Sequence, residues 1–305
     1  MARHPDTTKP ARYPSDCPVG VFDSGVGGLT VLSQIRHQLP GEHLLYVADS
    51  GQAPYGDKTR EAVEARSIAI TAFLIARGAK AIVIACNTAT SAAGKALRTR
   101  CRLPIIAIEP PVKPAVSLTR SGVVGVLATS QTLAGHNFEV LRGRFDGKVR
   151  VLVQPCPGLV ERIEAGDLDS DSTRALLADY VLPLIELGAD NLVLGCTHYP
   201  LVRTQIQAIA GPGVIVTDAG AAVARQLRHR LTQAGLLADR NDGGEEQFWT
   251  SGEPGAATAL FSAFWEHPLL VQRLPPLDPN NSNIGIETWT SRVATLPSTE
   301  FKTEP

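Results

Sequence analysis

The sequence predicts an α/β protein built from two pseudo-symmetric lobes, each a mostly parallel sheet flanked by helices, with the active site in the cleft between them. Three observations predict it. Short β-rich apolar runs alternate with helical stretches, a thirteen-residue segment recurs 110 positions later, and both copies end on a cysteine.

Taken in order, predicted strands cover 19–22, 44–48, 81–85, 105–108, 123–127, 151–153, 192–194 and 214–216, each a short run rich in Val, Ile and Leu. Between the first two, Leu32, Ile35 and Leu39 recur at helical spacing. Ala62, Ala65, Ala69, Ala72, Phe73 and Ala76 form an apolar helix face that stops near Gly78. The run from Thr217 and Asp218 to Ala224 reads as a strand end leading into a helix that returns to the first lobe. From Pro275 onward Pro, Asn, Ser and Thr dominate, the composition of a loosely held tail.

The repeat sets Leu74 to Cys86 over Leu184 to Cys196 without a gap, so each copy reads as helix end, glycine stop, buried strand, then cysteine. A second echo sets Val19-Gly20-Val21-Phe22-Asp23-Ser24 over Val124-Gly125-Val126-Leu127-Ala128-Thr129. The expected organisation is an N-terminal extension over 1–18, a first lobe of 19–117 plus 219–274, a second lobe of 118–218, and the tail 275–305. Open α/β sheets bind ligands at the carboxyl ends of their strands, where both cysteines stand.

Composition narrows the partners. With 29 basic and 30 acidic residues the formal net charge is -1, and no long block of one sign appears, so neither nucleic acid nor a membrane surface is expected. The first sixteen residues hold no signal-peptide core, and no run of about eighteen apolar residues occurs, which predicts a cytoplasmic chain. The five cysteines make neither an even framework nor a C-x-x-C pair. No metal or cofactor is expected.

Cys86 is followed by Asn87-Thr88-Ala89-Thr90 and Cys196 by Thr197-His198-Tyr199-Pro200, so both thiols precede polar donors at expected helix starts. Free N–H groups there hold a carboxylate or favour a thiolate. An isolated strand-end cysteine reads as a small buried hydrophobe, as do Cys17, Cys101 and Cys156; two at equivalent repeat positions read differently. A pseudo-twofold aims them at one ligand from opposite sides, the geometry for taking a proton from one face of a carbon and returning one to the other. A thiol suits this work because its ordinary pKa of about 8.5 lies near working pH.

The imperfections of the repeat predict unlike helpers. Asp23 has no counterpart at Ala128 and suits proton transfer with Cys86 or a substrate ammonium, its structural alternative being a helix N-cap. His198 replaces Thr88 and could carry a proton for Cys196. Gly25-Val26-Gly27-Gly28-Leu29-Thr30 ends on threonine where a dinucleotide fingerprint needs glycine or alanine, so a tight turn holding Asp23 explains it better. The turn with Tyr55 and Gly56 could bind a carboxylate through backbone N–H groups, or be an ordinary proline-glycine turn. Thr129 and Thr132 cap a helix, grip an anion, or both. Glu161 and Glu164 read on their own as solvated helix charges.

These residues resemble the bacterial glutamate racemases of the aspartate/glutamate racemase superfamily. The likeness is carried by Phe22-Asp23-Ser24-Gly25-Val26-Gly27-Gly28, Ala53-Pro54-Tyr55-Gly56, Ala85-Cys86-Asn87-Thr88-Ala89-Thr90, Thr129 with Thr132, Gly195-Cys196-Thr197-His198-Tyr199-Pro200 and Thr217-Asp218, in family order over roughly 19–220. Thr250-Ser251-Gly252-Glu253-Pro254 extends it toward 270. The resemblance implies interconversion of L- and D-glutamate without pyridoxal phosphate or metal, supplying D-glutamate for peptidoglycan. It implies that Cys86 takes the α-proton of D-glutamate and Cys196 that of L-glutamate, with Asp23 assisting the first and His198 and Glu164 the second. Substrate contacts implied are Asp23, Ser24, Tyr55, Gly56, Asn87, Thr88, Thr129, Thr132, Thr197 and His198. Counting from Cys156-Pro157 selects Glu164, with Glu161 one turn earlier as the alternative, in a segment that departs from the family pattern. A homodimer and a cell-wall precursor activator are further implications. Racemisation of another small amino acid on this scaffold, superfamily decarboxylation, and a silent amino-acid-binding regulatory protein are the competing expectations.

Overall fold

The computed structural model describes residues 15–145, 147–240, 242–265 and 267–277. Most of the expected extension, up to residue 14, and the tail from residue 278 lie outside the described residues. The elements run β1 (Val19–Asp23), α1 (Leu29–Gln38), β2 (Leu44–Ala48), α2 (Arg60–Ala76), β3 (Ala81–Ile84), α3 (Asn87–Arg100), β4 (Ile105–Ala107), α4 (Val112–Leu118), β5 (Val123–Ala128), α5 (Ser130–Ala134) and α6 (His136–Gly143). They continue as β6 (Arg150–Pro155), α7 (Leu159–Glu164), α8 (Asp171–Glu186), β7 (Asn191–Leu194), α9 (Arg203–Ala210), β8 (Ile215–Thr217), α10 (Gly220–Ala234), β9 (Glu246–Thr250), α11 (Pro254–Ser262) and β10 (Val271–Arg273).

Two parallel sheets result, in the orders β10-β9-β2-β1-β3-β4 and β6-β5-β7-β8. The windings β2-β1-β3-β4 and β6-β5-β7-β8 are the same, and β9 and β10 extend the first sheet on its β2 side. Registers match too: Phe22 pairs Ile84 in one sheet and Leu127 pairs Leu194 in the other. The chain is thus a mixed α/β protein with two helix-flanked parallel sheets, as predicted.

The repeat has a physical basis. Gly78 and Gly188 end α2 and the turn after α8 in left-handed conformation, at φ 86° and 92°. Each lets the following residue's N–H reach back to the helix, Ala79 to the Leu74 carbonyl at 3.1 Å and Ala189 to the Leu184 carbonyl at 3.0 Å. Gly20 and Gly125 occupy the centres of β1 and β5, where a methyl on Gly125 would stand 2.8 Å from Leu192 and 2.9 Å from Leu184. Bare backbone there lets the helix press on the strand, and Leu74 and Ile82 do the same over Gly20. Lys80 and Asp190, also equivalent, tie down the segment entering each sheet. Lys80 donates to the Ser15 carbonyl and pairs with Glu42 at 2.5 Å, wholly buried. Asp190 accepts from the Arg120 and Ser121 N–H groups at 2.6 and 2.9 Å.

One apolar cluster spans both sheets. Val19 and Val21 of β1 share it with Leu192 and Leu194 of β7 and with Leu227 and Leu231 of α10, while Phe22 and Ile84 face a second cluster under α2 and α3. As expected, α10 returns to the first sheet, where Gln38 donates to the Ala221 carbonyl at 3.2 Å and Arg228 to the Gln38 carbonyl. At the start of the expected tail, Leu277 still packs against the second cluster.

Most strands differ by one residue at an end from the sequence expectation, and two differences are larger. The β6 strand starts one residue before and ends two residues after the expected 151–153, because none of its residues is fully buried and its ends are polar or proline, which blurs the apolar signal. After Cys196 no α-helix begins directly: a 3-10 turn, Tyr199–Val202, intervenes and α9 starts at Arg203. Pro200 at its start and the Tyr199 N–H bonded to the Cys196 carbonyl at 3.2 Å favour the tighter turn. Among the described residues no helix is long and apolar enough to cross a membrane.

Candidate active site

Both cysteines stand two residues beyond a strand, Cys86 after β3 and Cys196 after β7, and both line the same small cavity of about 10 Å³. Ser24, Tyr55, Gly56, Asn87, Thr88, Thr129, Thr132, Thr197 and His198 line it with them. Asp23 and Glu164 stand behind this wall, each touching a residue that lines it.

Cys86 is itself the N-cap of α3 and accepts from the Ala89 N–H at 3.5 Å. Its thiol donates to Ser24 Oγ at 3.8 Å, and Ser24 Oγ donates to Asp23 Oδ1 at 3.5 Å. Asp23 does not cap a helix; its other oxygen accepts from Thr197 Oγ1 at 3.3 Å, across the cleft. Burial and then the Asp23 carboxylate push the Cys86 thiol well above its ordinary range, with the Ala89 N–H pulling back. At neutral pH Cys86 is therefore a protonated thiol in this closed arrangement.

The surroundings of Cys196 are of another kind. His198 Nδ1 lies 3.7 Å from Cys196 Sγ, and His198 Nε2 lies 2.6 Å from Glu164 Oε1. Burial disfavours a charged imidazole, but hydrogen bonds with Cys196 and Glu164 outweigh it and hold His198 well above its ordinary pKa. Glu164 Oε1 also accepts from the Val26 N–H at 2.7 Å, so a backbone group after β1 holds a carboxylate of α7. Glu161, in the first turn of α7, is exposed.

The glycines after β1 make this contact possible. A Cβ on Gly25 would fall on the Glu164 carboxylate, and one on Gly27 would overlap the His198 ring. Tight-turn chemistry around Asp23, the sequence explanation, is therefore only part of their use. They admit the histidine and glutamate of the opposite lobe.

On the remaining wall, Thr129 is the N-cap of α5, accepting from the Thr132 N–H at 3.3 Å. Its hydroxyl lies 3.1 Å from Thr88 and 2.9 Å from Thr132, a cluster of hydroxyls drawn from both lobes. The Tyr55–Asp57 turn precedes Thr59, which caps α2. Sequence reasoning missed Val26 and Val160. The first acts through its backbone, which no side-chain motif reports, and Val160 lines the cavity as an ordinary apolar residue.

Burial raises the Asp23 carboxyl pKa above its ordinary 3.8, partly offset by the nearby His198 charge. Between those two values the folded protein holds more protons than the unfolded chain, so stability falls as pH rises through that window and stays lower above it. Asp23→Asn should therefore raise Tm at pH 7 and change it least near pH 3, by on the order of 2 °C per kcal/mol relieved. Calorimetry at the two pH values checks this, and an unchanged Tm at pH 7 would count against a strained carboxylate.

The site offers two thiols at one cavity, with a carboxylate behind the first and a charged histidine beside the second. Comparison with known proteins gives the family. The profile of the Asp/Glu/Hydantoin racemase family matches residues 19–227. The chain belongs to that family. A curated glutamate racemase from Methylococcus capsulatus is 53% identical over 85% of this chain and 95% of its own length. One from Pseudomonas aeruginosa is 51% identical over 84% and 97%. Among solved structures, a glutamate racemase of Bacillus anthracis superposes with TM-score 0.80 at 32% identity, covering 87% of this chain and all of its own. The Escherichia coli glutamate racemase, solved in complex with L-glutamate and the activator UDP-MurNAc-Ala, gives 0.74 at 29% identity, covering 85% and 98%.

Proposed function

We propose that this chain is a glutamate racemase that interconverts L- and D-glutamate by proton transfer between Cys86, Cys196 and the substrate α-carbon. The observation that carries the reading is that both thiols line one cavity while each keeps a different acid-base partner. Relatives named glutamate racemase at about half identity over most of the chain support the choice of substrate.

In the D-to-L direction the Cys86 thiolate takes the α-proton and the Cys196 thiol delivers its own to the opposite face, leaving Cys86 protonated and Cys196 as thiolate. The reverse direction exchanges the roles. Asp23, reached through Ser24, receives the proton that must leave Cys86 before abstraction. A charged His198, held by Glu164, stabilises the Cys196 thiolate. The Tyr55–Gly56 backbone, Asn87, Thr88, Thr129, Thr132 and Thr197 are the substrate contacts. No step draws on a group the protein does not itself supply.

The two lobes, 19–117 with 219–274 and 118–218, would close on the substrate. The wider reading is a cytoplasmic homodimer that supplies D-glutamate for peptidoglycan and responds to a UDP-MurNAc-Ala-like precursor. The likeness to the Escherichia coli structure supports the last element.

L-Glutamate incubated with the protein in deuterated water, without pyridoxal phosphate, should yield D-glutamate bearing α-deuterium. Folded protein that neither inverts nor labels glutamate removes the proposal. Inversion of aspartate or a hydantoin in preference to glutamate moves it to another member of the same family.

A further inference from the structure

Behind the Tyr55–Asp57 turn lies a charged pair, a buried Asp49 and a half-buried Arg66, that the racemase mechanism does not use. Asp49 follows β2 and is fully buried, yet its two carboxylate oxygens are all committed. Arg66, from the middle of α2, grips them as a fork, Nε to Oδ2 at 2.9 Å and Nη2 to Oδ1 at 2.5 Å. Tyr55 OH donates to Asp49 Oδ2 at 2.6 Å. The Asp49 N–H is bonded to the Asp23 carbonyl at 2.9 Å, so the carboxylate is referenced to the strand end that carries the proton-transfer aspartate.

The Tyr55 ring links this pair to the chemistry, because Tyr55 and Gly56 line the cavity that both thiols share. From the other side the turn meets the opposite lobe. A Cβ on Gly56 would come within 3.2 Å of Thr129, and Gln131 donates to the Lys58 carbonyl. The Tyr55 ring packs among Phe22, Cys86 and Ala89, and the polar bond of that side chain is its hydroxyl on Asp49, so the ring's position in its apolar bed is set by this one carboxylate.

We propose that Asp49 and Arg66 are positioning residues that fix the Tyr55–Gly56 turn in the orientation that receives the substrate carboxylate, and that Arg66 also cancels the charge a dicarboxylate would meet there. The inference rests on the glutamate racemase reading. The charge argument follows from the inventory of the site: Asp23, Glu164 and Asp49 are three acidic groups around the cavity of an enzyme whose substrate is itself acidic. The fork on Asp49 removes one of them from the field the substrate meets. Neither residue reaches the α-carbon region through any contact of its own, so their loss should weaken substrate capture and leave proton transfer alone.

The test compares Tyr55→Phe, Arg66→Ala and the double variant Asp49→Asn/Arg66→Ala by steady-state racemisation of glutamate, with circular dichroism as the control for folding. Tyr55→Phe, which deletes one hydroxyl bonded to a charged group, should raise KM about tenfold with kcat within about threefold. Arg66→Ala should raise KM further, since it leaves a buried carboxylate uncancelled. The double variant should recover part of that loss because the charge has gone with its partner, a recovery that a purely structural role would not produce. If Arg66→Ala does not fold, Tyr55→Phe and the double variant decide. Unchanged KM in folded variants, or kcat falling while KM holds, overturns the inference. A parent protein that does not racemise glutamate removes the reading itself, and this inference with it.

Discussion

Cys86→Ala and Cys196→Ala each cost at least about 10³-fold in racemisation while Tm stays near that of the parent protein. The loss is large because inversion needs a proton partner on both faces, and removing either one halts the whole cycle. It leaves the fold intact because each thiol is a small side chain at a cavity wall, where alanine removes one atom and strains nothing. Cys101→Ala is the control: that thiol sits at the end of α3 with its pKa pushed up to about 11 by burial, and its loss leaves the rate unchanged. Polarimetry on L- and D-glutamate reads both variants. A single variant that still racemises near the parental rate would falsify the two-thiol scheme.

Gly25→Ala lowers kcat/KM by about 10²-fold although it removes no ionisable group. The backbone there is extended, at φ -168°, so alanine fits the chain itself. What it cannot fit is the Glu164 carboxylate, which bonds the Val26 N–H at 2.7 Å and His198 Nε2 at 2.6 Å. Displacing that carboxylate turns His198 away from Cys196 and lowers the fraction of charged imidazole at neutral pH. Glu164→Gln should show a loss of the same order, and the double variant should be no worse than the poorer single one, because both disable one unit. Additive losses would mean that Gly25 and Glu164 act separately.

Much of this could be read from the chain alone, and the reasons are specific. Parallel strands buried on both faces leave unmixed apolar runs, which made β1, β2, β3 and β7 visible within a residue or so. The thirteen-residue repeat keeps Gly78 and Gly188, which take left-handed φ, and the shorter echo keeps Gly20 and Gly125, whose bare backbone lies beneath a leucine. Both cysteines were legible because the same repeat set them at strand ends. The 3-10 turn after Cys196 was not, since its cause is local and the repeat pointed elsewhere. The edge strand β6 and the added β9, which opens with Glu246 and Gln247, mix polar and apolar residues as half-covered strands do. At the site, the carboxylate on His198 could be chosen only between Glu161 and Glu164 by counting. The contacts of Val26 and Arg66 are long-range, and nothing in their own neighbourhoods announces them.

The cavity bounded by the two thiols is narrow in this arrangement, about 10 Å³. The compact form is therefore the one in which the reacting carbon is sealed from solvent, and ligand exchange belongs to a wider form. Where that wider form is sparsely populated, apparent affinity falls short of what the contacts alone would give, in proportion to its population. The seam is stitched by Glu164 to Val26, by Gln131 to Lys58 and by Asp23 to Thr197. Stiffening the Gln131–Lys58 stitch, which involves no proton-transfer group, would prolong product residence, and turnover would then follow how often the seam parts.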